Sequence, residues 1–278
     1  MDDRIDALPP MDVPVGTVHT RDYLERIGVP DLRPATCPFD PGYDPYTFHG
    51  HLVQSRHLME TMKISMAGWQ IGDERVTRWK VAACRAFGVP TVTGGGPFEI
   101  AVQQGELPFY LDLVADIGFT GIEAGEGFTD MPLAPADVMR LARDRGLQVQ
   151  FELGKKHDGA FSSDVVSGLI AQGRQWLDAG ARQVIIEARE SAVGIGCFDE
   201  RGDFVPATAD RFAEAFGLDT ALFEAPNKAS QFALLNHFGP DVHLCNIRLE
   251  EILRVEIYRR GLHSDAFAHD NLRPRRPG

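Results

Sequence analysis

Residues 147–188 decide the fold. They read Leu147-Gln148-Val149-Gln150-Phe151-Glu152-Leu153, a polar turn through Gly154-Lys155-Lys156, a helical stretch, and then Gln183-Val184-Ile185-Ile186-Glu187-Ala188. Ser163 caps the helical stretch, in which Val166, Leu169, Ile170, Gly173, Trp176 and Leu177 share one stripe, and Gly180 stops it. The two flanking runs are short, apolar and bounded by glycine or charge. That pattern suits fully buried parallel strands better than half-exposed antiparallel ones. The unit is strand–helix–strand.

The same alternation extends both ways from this unit, with further runs at 62–67, 89–93, 120–124, 221–225 and 242–245. Pro135-Ala136-Asp137 opens a helix that carries Val138, Leu141 and Ala142 inward and has Gly146 past its end. A last helix, over 249–260, finishes on two arginines and Gly261, as the helix dipole favours. Seven strand–helix units are clear and an eighth strand is read near 46–48. In 278 residues this points to an α/β fold, a closed (β/α)8 TIM-type barrel, with an open doubly wound sheet as the fallback. The 44% apolar content suffices for one large core. Residues 1–45 hold eight of the eighteen prolines and read as an extended arm over the barrel, with one short helix at 21–27. The barrel then spans 46–268, and the basic, proline-rich 269–278 reads as a flexible tail.

Composition removes several function classes. A net charge of −12 opposes binding of nucleic-acid phosphates. The four cysteines are far apart, with no C-x-x-C, so reduced thiols are expected. No apolar leader follows Met1 and no run approaches the ~20 apolar residues of a membrane span, so a cytoplasmic protein with no membrane partner is expected. The oligomeric state stays open, a homo-oligomer included.

The chemistry sits at the end of each apolar run. Parallel strands bring their C-terminal ends to one face, and in barrels that face holds the active site. Here the runs end in Glu123, Glu152, Glu187 and Glu224, with Glu126 and Glu190 just beyond, beside Lys63, Lys155, Lys156, Arg189 and Lys228. Carboxylates buried in a barrel mouth are costly unless paired or metal-bound. One reading is a ring of structural ion pairs; the other is a site for a hard cation, Mg²⁺ above all. Cations beside such a site suit a phosphorylated, carboxylated substrate. Gly94-Gly95-Gly96-Pro97 follows a strand and precedes a helix, so its backbone N–H groups can cradle an anion. Gly194-Ile195-Gly196 reads as a structural turn, and His243 with Cys245 as a hydrogen-bonded histidine beside a core thiol. His49, His51 and His57 match no ligand template, and neither a G-x-S-x-G elbow nor an H-E-x-x-H is present.

Several blocks resemble one family. Thr93-Gly94-Gly95-Gly96-Pro97-Phe98-Glu99 is similar to the P-G-G-T-x-x-E segment of the phosphosulfolactate synthases. Phe151 to Lys156, Ile186 to Ser191, Phe223 to Lys228, Leu244 to Ile247 and Arg259 to Asp265 resemble further segments, in family order over about three quarters of the chain. The resemblance implies a barrel that adds sulfite to phosphoenolpyruvate with Mg²⁺, giving 2-phospho-3-sulfolactate in coenzyme M biosynthesis. It implies Lys156 as the acid that protonates C2, its pKa lowered by neighbouring cations, with Lys155 or Arg189 orienting the anions and Lys63 in reserve. Gly94, Gly95, Gly96, Lys228 and Asn246 fall to the substrate, and Glu123, Glu152, Glu187 and Glu224 to the metal. The family's Asp-Lys-Gly at the end of the first strand is matched to Phe48-His49-Gly50, removing a carboxylate and a cation. Two other readings remain: a related lyase or synthase using another nucleophile or enol acid, and a non-catalytic, stress-associated relative.

Overall fold

The computed structural model describes residues 16–64, 66–156 and 159–274. A short helix α1 (Thr20–Arg26) precedes β1 (Thr36–Asp40), α2 (Pro45–Ser55), β2 (Met62–Ile64), α3 (Gly68–Ile71) and α4 (Glu74–Ala86). Then come β3 (Thr91–Thr93), α5 (Gly95–Gln103), α6 (Leu107–Ile117), β4 (Gly121–Gly125), α7 (Pro135–Arg143), β5 (Gln148–Leu153) and α8 (Ser163–Ala179). The chain finishes with β6 (Gln183–Ile186), α9 (Pro206–Phe216), β7 (Ala221–Glu224), α10 (Lys228–Phe238), β8 (His243–Arg248) and α11 (Ile252–Arg259). The eight strands are parallel and close in sequence order, β8 pairing with β1. The (β/α)8 barrel is therefore the fold. No helix of the described residues is long and apolar enough to cross a membrane.

The first strand is not where the sequence pattern put it. Tyr46-Thr47-Phe48 lies in α2, because Asp44 caps that helix, accepting from the Tyr46 and Thr47 amides at 2.9 and 3.2 Å, and Pro45 presets its first turn. This start signal outweighs the β-propensity of the three residues. The strand is Thr36-Cys37-Pro38-Phe39-Asp40, inside what read as the arm, so the barrel begins at residue 36 rather than 46. Pro38 is tolerated because it sits at a shift in the β1–β8 register, Cys37 pairing with Cys245 but Pro38 with Ile247. The strand ends in Asp40-Pro41-Gly42. The observed first strand thus ends in a carboxylate, and Phe48-His49-Gly50, matched above to the end of the family's first strand, lies in α2. Asp40 accepts from the Gly42 and Tyr43 amides and pairs with the buried Lys80 at 2.6 Å. Past residue 268, Leu272 is buried and Arg273 donates to the carbonyl of Phe267. Residues 1–15 of the arm and 275–278 of the tail lie outside the described residues.

Alternation along each strand sorts the residues into two cores. Outward side chains pack on the helices, as where Phe151 of β5 stacks on Trp176 of α8 with ring centres 4.1 Å apart. Inward side chains form layers. Near the strand starts, Gln150 bonds Gln183 at 2.8 Å, and Glu60 meets His243 Nδ1 at 2.7 Å. Cys37, Ile185, Leu222 and Cys245 form an apolar layer above. His243 and Cys245 are thus a hydrogen-bonded core histidine and a core thiol, as read from their spacing. Above that layer lie the strand-end carboxylates.

Barrel closure depends on Arg259 of α11, which is 1% exposed. Its guanidinium donates to the carbonyls of Pro240 and Val242 at 2.6 Å, to that of Ala35 at 3.2 Å, and to Glu256 at 3.0 Å. It therefore ties the helix to the entries of both β1 and β8. Arg259→Met removes one of the two arginines paired with the buried Glu256 and the guanidinium donor to three carbonyls, and should cost about 3–5 kcal/mol in urea unfolding. An unchanged unfolding midpoint would show that the seam closes without it.

Candidate active site

Each site carboxylate reaches the barrel axis because it stands at an inward position along its strand or just past it. Glu152 follows Gln150 on β5, Glu224 follows Leu222 on β7, and Glu187 directly follows β6, two residues after Ile185. Glu123 stands at the middle of β4, in register with Gln150. All four are at most 3% exposed. Lys63 projects from β2 and pairs with Glu123 at 2.7 Å while donating to Asn246 Oδ1 at 2.8 Å. Lys156 follows β5 and reaches Glu152 at 3.3 Å and Glu187 at 3.4 Å.

Asn246 enters this cluster through the bulge that accommodates Pro38. It is the extra residue of β8, with φ +54°, so it and Cys245 both face the interior instead of alternating. Its amide donates to Glu224 Oε1. A second left-handed residue, Arg189 at φ +56°, shapes the β6 end. Its amide donates to Glu187 at 2.6 Å and, with that of Ala188, to Glu224 Oε2 at 3.0 and 2.8 Å. Non-glycine residues are strained there, and such strain gathers at sites the surroundings over-determine.

Electrostatics follow from burial. Glu152, Glu187 and Glu224 are each pushed up to about 7, by loss of water first and by one another second. Glu123 is also raised by burial, though Lys63 opposes it. Burial would lower Lys63 and Lys156, but the surrounding carboxylates raise both well above an ordinary lysine. This reverses the expectation for Lys156. The charges acting on its ammonium are carboxylates, Glu152 and Glu187 first, while Lys155 pairs with Asp130.

The carboxylates divide into two functions. Oxygens of Glu152, Glu187 and Glu224 lie within 4.8 Å of one another. Glu152 Oε1 and Glu187 Oε2 are buried without a hydrogen-bond partner. An all-oxygen group with two unsatisfied atoms fits a hard divalent cation. Glu123, the fourth expected ligand, is instead held by Lys63 and by the Gly95 amide at 3.1 Å. That amide is therefore engaged by the protein's own carboxylate. Gly94 caps α5, and Gly96 lies against Phe128.

The remaining expected residues lie toward the rim. Lys155 turns outward to Asp130 at 3.3 Å. Lys228, at the start of α10, pairs with Asp265 at 3.3 Å over the ring of Phe232. The Arg189 guanidinium donates to the carbonyl of Lys156 at 3.1 Å. Gly194-Ile195-Gly196 is structural: a side chain on Gly196 would meet the carbonyl oxygen of Glu187 at 2.1 Å. Glu99, quoted above only as the end of a matched block, was given no role by the sequence reading. Glu99, fully buried, accepts four hydrogen bonds from residues 127–129. A lone acid on the otherwise apolar face of α5 was the available signal.

Comparison with known proteins agrees with this geometry. The profile of the (2R)-phospho-3-sulfolactate synthase (ComA) family matches residues 30–265. Phosphosulfolactate synthase of Methanocaldococcus jannaschii is 31% identical over 236 residues, 84% of this chain and 94% of its own. That of Methanothermobacter thermautotrophicus is 31% identical over 251 residues, 89% of this chain and 96% of its own. Among solved structures, 3-dehydroquinate dehydratase of Geobacillus kaustophilus matches with a TM-score of 0.50 at 12% identity. It covers 80% of this chain and 90% of its own, a likeness of fold alone. With the carboxylate-lined barrel mouth and matches across most of its length, the chain belongs to the phosphosulfolactate synthase family.

Proposed function

We propose that this enzyme adds sulfite to C3 of phosphoenolpyruvate, a carbon–sulfur bond-forming reaction of the lyase class that opens coenzyme M biosynthesis. The observation that carries the reading is the buried cluster of Glu152, Glu187 and Glu224, in which Glu152 Oε1 and Glu187 Oε2 accept no hydrogen bond and face the Lys156 ammonium at 3.3 and 3.4 Å. Three buried carboxylates around one ammonium leave negative charge that a second cation would balance.

Glu152, Glu187 and Glu224 would hold Mg²⁺. When bound, the cation supplies Lewis acidity toward the substrate carboxylate, which must accept charge during addition. The sulfite lone pair forms the C–S bond at C3 while the alkene electrons move to C2 and the carboxylate. C2 then takes a proton. Lys63 is engaged by Glu123 and Asn246, so Lys156, with its looser contacts, is the lysine placed to donate. Its raised basicity keeps it charged until the far more basic carbon forms. Arg189, Lys155 and Lys228 form an exposed rim for the phosphate, and Gly94 to Gly96 line the β3 side. Exposed pairs such as Lys228–Asp265 are weak enough for an anionic substrate to displace.

The cation half is tested by calorimetry on metal-stripped protein. The folded state holds carboxyl protons at a pH where the unfolded chain has released them. Metal-free stability should therefore fall as pH rises from about 4.5 to 7 and then level off. Mg²⁺ competes with those protons, so it should raise Tm strongly at pH 8 and weakly at pH 5. Equal shifts at both, or none at pH 8, would contradict the assignment.

The proton donor is tested by substitution. Lys156→Ala should lower kcat by about 10²–10⁴-fold with a much smaller change in KM for phosphoenolpyruvate. Lys156→Arg should not rescue, because the larger planar guanidinium cannot set an N–H where the compact ammonium stands. An active Arg variant would make Lys156 an anion anchor and move the donor role to Lys63.

A further inference from the structure

Resting on that reading of the site, we infer that Glu99 is a positioning residue for Lys156, acting through the backbone of residues 127–129. Its Oε1 accepts from the Gly127 amide at 3.0 Å. Its Oε2 accepts from the amides of Phe128 at 3.0 Å and Thr129 at 2.9 Å, and from the Thr129 hydroxyl at 3.0 Å. Three consecutive amides converging on one carboxylate form an anion nest, here occupied by a side chain of the protein itself. A fully buried carboxylate is costly, and these charge-assisted bonds are what offset it. The segment after β4 is thereby fixed to α5.

That segment in turn fixes Lys156. The Gly127 carbonyl accepts the Lys156 amide at 2.8 Å. The lysine side chain then runs across the bare α-carbon of Gly127. A β-carbon at 127 would lie 2.7 Å from Lys156 Cε, 3.1 Å from its Cγ and 3.2 Å from Glu152 Oε1, one of the unpartnered oxygens. The path from Glu99 to the ammonium thus has two parts, an anchored carbonyl and a cleared track. Both are needed for the lysine to reach Glu152 and Glu187.

Two variants separate them. Glu99→Gln keeps the shape but sets an NH2 group against the backbone N–H of Gly127, where Oε1 accepts in the wild type. Gly127→Ala keeps every Glu99 bond and obstructs the track. In each, kcat should fall by about 10²-fold, the cost of displacing a reacting group by about 1 Å, while KM for phosphoenolpyruvate stays within about threefold. Glu99→Gln combined with Lys156→Ala should lose no more than Lys156→Ala alone, because the effect runs through that lysine. Additive losses, or a fall confined to KM, would overturn the inference. Amide exchange followed by mass spectrometry gives a readout independent of turnover. In Glu99→Gln the amides of residues 127–129 and of Lys156 should exchange faster, with the rest of the barrel unchanged. Should the wild-type protein not consume phosphoenolpyruvate with sulfite, the proposed reaction fails by itself. The exchange measurement still decides the coupling, and unchanged exchange at Lys156 overturns it. If Glu99→Gln does not fold, Gly127→Ala carries the kinetic test, and full activity there overturns the inference.

Discussion

Four carboxylates share the buried end of one barrel with only two lysines, and the rest of the molecule is arranged around that imbalance. Charge of one sign cannot be packed into an apolar interior unless something compensates it. Lys63 settles Glu123, and backbone amides of residues 188 and 189 with the Asn246 side chain settle Glu224. Glu152 and Glu187 share the single Lys156 ammonium. The residual negative charge is a demand for a cation, and the same demand keeps Lys156 protonated beside the place where chemistry would occur.

The scaffold meets the demand with local departures from regularity. Eight regular strands would alternate strictly and could not turn both Cys245 and Asn246 inward. The bulge opposite Pro38 does so, which links the unusual proline of β1 to a polar contact across the barrel. The left-handed backbone of Arg189 aims successive amides at two different carboxylates. At the other end of the same β1–β8 seam, Arg259 binds carbonyls at the entries of both strands, adding a polar tie to apolar packing.

Much of this was legible in the sequence because parallel barrel strands obey two simple rules. Their runs are short and apolar, and their last inward residue faces the site; hence Glu123, Glu152, Glu187 and Glu224 announced themselves, and the period of α8 announced its packing on β5. Less legible was β1, where a proline inside the strand and an Asp-Pro helix start nearby sent the reading ten residues downstream. Proximity in sequence also misled at Lys155 and Lys156. They are neighbours along the chain, yet one faces Asp130 in solvent and the other two buried glutamates, so one basicity rises for reasons no local pattern contains. Glu99 was hidden because its partners lie some thirty residues away and are backbone amides, which carry no residue identity.

The central claim is that this site joins sulfite to phosphoenolpyruvate and delivers a proton to C2. The most direct measurement is an incubation of the protein with phosphoenolpyruvate, sulfite and Mg²⁺ in D₂O, with phosphorus and proton NMR of the product. The account predicts a sulfite-dependent phosphosulfolactate carrying one deuteron at C2. Phosphoenolpyruvate that persists unchanged, or is consumed equally without sulfite, would contradict it.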